Sequence, residues 1–184
     1  IAKKMAVLPQ SPSVPSGLLV EELVSYGRFP YQSAMGGLKQ KDIELINWAM
    51  EVTGISDFAN RPVDRLSGGQ RQRAWIAMAL AQQSEILCLD EPTTYLDIYY
   101  QIELLELVKS LNEEYGLTIV MVLHDINQAI RYSDQIIMMK DGQIIAEGPP
   151  REVITKDVIK KVYGVNAIFK EDDEIGFYMM SLGI

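Results

Sequence analysis

Hydrophobic positions along the chain follow two rhythms. Met5 to Leu8 is a short apolar run closed by Pro9-Gln10, and EILCLDEP (85–92) and LTIVMVLHD (117–125) repeat that form. Short continuous apolar runs alternating with helical stretches are the pattern of strands in a parallel sheet covered on both faces. Between the first two runs the period changes. LLVEELVSYG (18–27) and KDIELINWAMEVTG (41–54) have helical spacing, and Gln70 to Gln83 is a strong helix former, apolar on nearly every side from Ala74 to Ala81. Such a helix is expected to be buried. In IIMMKDGQIIAEG (136–148) two apolar runs flank Asp141-Gly142, a two-residue hairpin signal, so an antiparallel edge is expected to close the sheet. REVITKDVIKKVYG predicts a last amphipathic helix, and a strand pair with a polar turn finishes the chain. The fold class predicted is α/β. Residues 1–10 supply a core strand and the loop after it, 11–83 a helical subdomain, 84–148 further core strands, and 149–184 a terminal helix and strands.

Composition narrows the possibilities. A chain of 184 residues with 48% hydrophobic and 23% charged positions is one ordinary globular domain. The net charge of −8 argues against binding nucleic acid through its phosphates. The longest apolar stretches, AWIAMALA and TIVMVL, fall well short of the ~20 residues a membrane-spanning helix needs. A single cysteine, Cys88, leaves no internal disulfide and fits a reducing compartment. The opening IAKKMAVLPQ has neither an initiator Met nor a signal-peptide pattern, which is expected of the C-terminal part of a longer subunit.

Polar residues stand at the ends of the predicted strands: Gln10 after the first, Asp90-Glu91 after the second, His124 after the third. In open α/β sheets ligands lie outside the carboxyl ends of the strands. Each residue alone has a plain reading as loop, helix start or surface, but their shared position outweighs it. An Asp ending a hydrophobic strand is the Walker B arrangement, which holds Mg²⁺ by the oxygen contacts that ion prefers. Glu91 beside it can polarise a water for attack on a γ-phosphate, and a His from the neighbouring strand can hydrogen-bond that phosphate. Earlier, LSGGQRQR (66–73) sets Ser67, Gly68 and Gly69 at the N-terminus of the helix predicted from Gln70. Exposed N–H groups and the helix dipole make that end an anion site, and glycine lets a phosphate approach. Taken alone, SGG is more simply a glycine-rich helix cap.

LSGGQ, then LCLDEPT, then Leu96-Asp97, then His124-Asp125 together resemble the ATPase subunit of ABC transporters, in order and in spacing, over nearly the whole chain. The resemblance implies a P-loop NTPase-type core with ATP and Mg²⁺ as ligands. It implies Gln10 as the glutamine sensing Mg²⁺ and the permease, Asp90 as metal ligand, Glu91 as catalytic base and His124 as switch histidine. Ser67, Gly68, Gly69 and Gln70 would serve the ATP of a partner subunit, and Asp97 would contact that partner across a head-to-tail dimer. Membrane permease subunits, and indirectly a substrate-binding protein, are the other implied partners, at the cytoplasmic face of the membrane. A finer similarity lies in VLPQSPSVPSGLLVEELVSYGRFPY and PTTYLDIYYQ, which look like ATPases driving bacterial uptake of iron–siderophore, haem or cobalamin complexes.

One departure stands out. A P-loop needs G-x-x-x-x-G-K-[ST], and no Gly-Lys pair occurs in these 184 residues. With every other catalytic position intact, a chain lacking its N-terminal part, and inactive alone, is expected over a natural degenerate ATPase. Chromosome-maintenance and DNA-repair ATPases share the signature logic but should show long heptads or zinc-binding cysteines, and neither is here. A ribosome-associated ABC factor would need a second ATPase domain and basic surfaces, against the acidic balance.

Overall fold

The computed structural model describes residues 1–10, 15–32 and 36–184, in two compact units, 1–122 and 123–184. Ser11, the expected start of the helical subdomain, lies outside the described residues. In the first unit three strands, β1 (Met5–Leu8), β2 (Ile86–Leu89) and β3 (Thr118–Met121), form a parallel sheet in that order. Their registers set Leu8 beside Leu89 and Leu89 beside Met121.

Alternation within these four-residue strands decides where the core lies. Ala6, Leu8, Leu87 and Leu89 share one face and pack with α3 (Gly68–Ala81) and α4 (Ile98–Tyr115) in a single cluster. Among the described residues of this unit the expected cover on both faces is not found. Val7, Val120 and Val122 on the other side are 56%, 54% and 49% exposed, because the helices of this unit gather on the Leu8–Leu89 face. An apolar run shows that a strand can be buried twice, not that the described chain does so.

Between β1 and β2 the chain is helical: α1 (Val20–Ser25), a 3-10 helix (Tyr26–Tyr31), α2 (Gln40–Val52), two short 3-10 turns and α3. The helix expected from Gln70 starts two residues earlier, at Gly68, since Ser67 caps it. Burial of Ala74, Trp75, Ile76, Ala77, Ala79, Leu80 and Ala81 agrees with its apolar pattern. The Nε1 of Trp75 is buried without a hydrogen-bond partner.

The second unit has its own core of Ile136, Met138, Val153, Ile154, Ile159 and Ala167. β4 (Ile136–Lys140) and β5 (Gln143–Gly148) pair around Asp141-Gly142 as the sequence predicts, but they form a separate two-stranded sheet and do not close the parallel one. The hairpin signal fixes the turn, whereas the partner of the outer edge depends on where Ile136 and Met138 are buried, here within the unit's own core. The last amphipathic stretch divides into α6 (Pro150–Val153) and α7 (Lys156–Tyr163), because the Thr155 hydroxyl accepts from the Val158 amide and starts a new helix. β6 (Asn166–Asp172) and β7 (Gly176–Gly183) end the chain as an antiparallel pair. Among the described residues no helix is long and apolar enough to cross a membrane.

Candidate functional site

Strand register builds the first cluster. β1 and β2 end together, with the Asp90 amide donating to the Leu8 carbonyl at 3.0 Å. Gln10, two residues past β1, therefore meets the residues just past β2. Its Nε2 donates to Glu91 Oε2 at 2.5 Å, and Thr94 Oγ1 donates to the same oxygen at 3.1 Å. Two donors from different segments hold the Glu91 carboxylate in one orientation at the carboxyl edge of the sheet.

The backbone there is unusual. Glu91 has φ +48° and Tyr95 φ +66°, left-handed values that side chains other than Asn, Asp and Gly adopt at a cost of about 1–2 kcal/mol. Tight turns accompany them, with the Thr94 amide on the Glu91 carbonyl at 3.2 Å and the Leu96 amide on the Thr93 carbonyl at 3.3 Å. Backbone strain of this kind concentrates at functional sites. Asp90 is exposed beside Glu91, so its carboxylate and the amide oxygen of Gln10 are hard oxygen donors at one edge. Among the described residues no group of three or more His, Cys, Asp or Glu stands together to cage a metal. One carboxylate and one amide fit Mg²⁺, which keeps several waters and takes phosphate oxygens in preference to a full protein cage.

The second cluster is at the start of α3. Ser67 Oγ accepts from the Gln70 amide at 3.3 Å while Gln70 Oε1 accepts from the Ser67 amide at 3.1 Å, a reciprocal capping box. The glycines have a packing reason as well. A Cβ on Gly69 would lie 3.0 Å from Tyr100 Cδ1, and one on Gly68 would lie 3.3 Å from Leu96 Cδ2. Bare backbone lets α3 approach the first turn of α4. Asp97 is the N-cap residue of α4 but its side chain makes no capping hydrogen bond. The loop from Asp90 to Asp97 thus joins both clusters: Glu91 stands at its start, and Leu96 near its end packs against Gly68.

His124 belongs to the second unit, one residue before Asp125, whose carboxylate caps α5 (Ile126–Tyr132) by accepting from the Asn127 and Gln128 amides at 2.8 and 3.0 Å. The sequence assigns no role to Thr94 or Tyr100. A hydroxyl three residues after Glu91 was a readable signal for Thr94; nothing in the sequence pairs Tyr100 with Gly69.

A family model described as ABC transporter matches residues 1–94. The chain is 57% identical over 167 residues, 91% of its length, to the iron(3+)-hydroxamate import ATP-binding protein FhuC of Bacillus subtilis, and covers 62% of that protein. It is 46% identical over 176 residues, 96% of its length, to the ferric enterobactin transport ATP-binding protein FepC of Escherichia coli, covering 65% of it. The chain therefore spans a little under two thirds of the length of these curated relatives. An inward-facing structure assigned to the metal-chelate type of ABC transporter superposes with a TM-score of 0.90 at 24% identity, over 98% of this chain and 72% of that one. A dimeric, post-hydrolysis ATP-binding cassette bound to ADP and Pi superposes with a TM-score of 0.68 at 36% identity, over 82% of this chain and 64% of that one.

Proposed function

The chain belongs to the ABC transporter family, and from that premise we propose that it is part of the ATP-hydrolysing subunit of an importer for ferric siderophores or related metal chelates. In this reading the subunit works as a head-to-tail dimer on membrane permease subunits, peripheral to the cytoplasmic face, with a substrate-binding protein as an indirect partner. The carrying observation is the Gln10–Glu91 contact at the carboxyl edge of a parallel sheet, with Asp90 beside it. The import functions of the relatives supply the cargo class.

The residues divide the work as follows. Asp90 and the Gln10 amide oxygen would hold Mg²⁺, which neutralises charge developing on the transferred phosphoryl group. Glu91 takes a proton from the attacking water, and the Gln10 and Thr94 donors orient its carboxylate for that transfer. Ser67, Gly68, Gly69 and Gln70 present the N-terminus of α3 to the γ-phosphate on the partner subunit. The Ser67 hydroxyl spends a lone pair on the Gln70 amide and keeps its proton for a phosphate oxygen. Asp97 meets the partner subunit, and His124 hydrogen-bonds the γ-phosphate.

Ser67→Arg in the full-length protein tests this reading. Turnover of MgATP is expected to fall by about 10²-fold or more, as when one preorganised donor is lost, while equilibrium ATP binding by the separate subunit is retained. Wild-type turnover in this variant would contradict it.

A further inference from the structure

The 3-10 helix Tyr26–Tyr31 faces two ways. Outward, the rings of Tyr26 and Phe29 stack with centroids 4.8 Å apart, and Phe29 is 56% exposed. Inward, Gly27 and Arg28 are buried against two helices. A Cβ on Gly27 would lie 2.1 Å from the Met78 carbonyl oxygen and 3.1 Å from the Gln82 amide nitrogen, so this turn is pressed directly on the last turn of α3. Arg28, 4% exposed, donates from Nη1 to the carbonyl of Ala81, the final residue of α3, at 2.7 Å. Its Nε donates to Asp42 Oδ1 at 2.9 Å. The other carboxylate oxygen of Asp42 accepts from the Lys39 amide at 2.9 Å and so caps α2. Tyr31 covers the guanidinium, whose carbon lies 4.1 Å from the ring centroid.

One side chain therefore ties three backbone ends: the C-terminus of α3, the N-terminus of α2 and the aromatic turn. A planar guanidinium with donors on several edges suits this, and the negative end of the α3 dipole favours a cation there. α3 is a 14-residue rod about 20 Å long. Its other end is the Ser67–Gly69 segment, held so closely on Leu96 and Tyr100 that a small tilt changes what the glycines present.

We propose that Arg28 is a positioning residue for the signature segment: by fixing the Ala81 end of α3 it sets the angle at which Ser67, Gly68 and Gly69 meet the phosphate. The functional side of this proposal rests on the ATPase reading above.

The test compares Arg28→Met and Arg28→Lys in the full-length protein by amide hydrogen exchange and steady-state kinetics. The Lys variant keeps the charge beside Asp42 but cannot hold both Asp42 and the Ala81 carbonyl. It carries the test if the Met variant folds poorly. The expected result is faster exchange of the Gln70 and Arg71 amides, at the far end of α3, together with residues 79–82. The kcat for ATP should fall roughly tenfold with KM within about twofold, since a displacement near 1 Å affects closure and not nucleotide capture. The Lys variant should fall between Met and wild type in both measures. Faster exchange confined to residues 27–30 and 79–82, with kcat unchanged, would overturn the proposal. If the wild-type protein shows no turnover while exchange still propagates to Gln70, the ATPase reading fails and the mechanical linkage stands.

Discussion

The two units meet similar local demands in opposite ways. In the second, a non-glycine residue takes a left-handed conformation at Asp141 (φ +50°), a residue type that tolerates it, and Gly142 follows. In the first, the same conformation falls on Glu91 and Tyr95, which tolerate it poorly. Ion pairs repeat the contrast. Arg151 holds Glu171 bidentately at 2.5 Å on the surface, with both side chains more than half exposed. Arg28 holds Asp42 in the interior, where each group also bonds backbone. The first unit accepts costly local choices, and they cluster around the β2–α4 loop and the ends of α3. The second uses inexpensive ones. Difficult backbone and buried charge thus mark where position matters more than stability.

The largest effect expected of this contrast is on the buried pair. Asp42→Asn leaves the Arg28 guanidinium buried without a counter-charge and should destabilise the first unit by roughly 3 kcal/mol. Both tryptophans, Trp48 and Trp75, lie in that unit, so fluorescence-detected unfolding reports it. The Lys39 amide, and then Arg28, hold the Asp42 carboxyl below its ordinary range. A depressed carboxylate stabilises above its unfolded pKa and loses that contribution as pH falls through the folded value. Wild-type stability should therefore drop below about pH 4, and the Asn variant should be flatter there. Glu171 is also held low, by Arg151, but it is solvent-exposed and screened. Glu171→Gln should leave unfolding of the second unit unchanged in calorimetry. Equal losses in both variants would break the comparison.

A smaller effect separates the two turns. Glu91→Gly relieves a left-handed glutamate and should stabilise the first unit by about 1 kcal/mol, although it removes the proposed base. Asp141→Gly should change the second by no more than a few tenths of a kcal/mol, since Asp already tolerates the conformation. Destabilisation by Glu91→Gly would show that the carboxylate's bonds to Gln10 and Thr94 outweigh the strain.

Much of this arrangement was readable in the chain. The three apolar runs gave the three parallel strands, and their polar endings gave Gln10, Asp90 and Glu91, because strand ends are fixed by local pattern. The Asp141-Gly142 dipeptide gave the hairpin. Its independence from the parallel sheet was not readable, since alternation specifies a face and not a partner. The exposed side of Val7 and Val120 was hidden for the same reason. The double glycine announced a close approach, but the approaching groups, Leu96 in the loop before α4 and Tyr100 in its first turn, come about 30 residues on. Nothing in the sequence sets Arg28 apart from the other charges, and only its burial against Asp42 and Ala81 shows what it ties together.

Glu91 as the base, held by Gln10 across the strand ends, is the central claim, and Glu91→Gln in the full-length protein tests it most directly. The substitution keeps shape and a hydrogen-bonding amide but removes proton acceptance. ATP binding by equilibrium titration should stay within about twofold of wild type, while single-turnover hydrolysis falls by about 10²-fold or more, the scale of a lost general base. A variant that binds ATP and hydrolyses it near the wild-type rate would contradict the account.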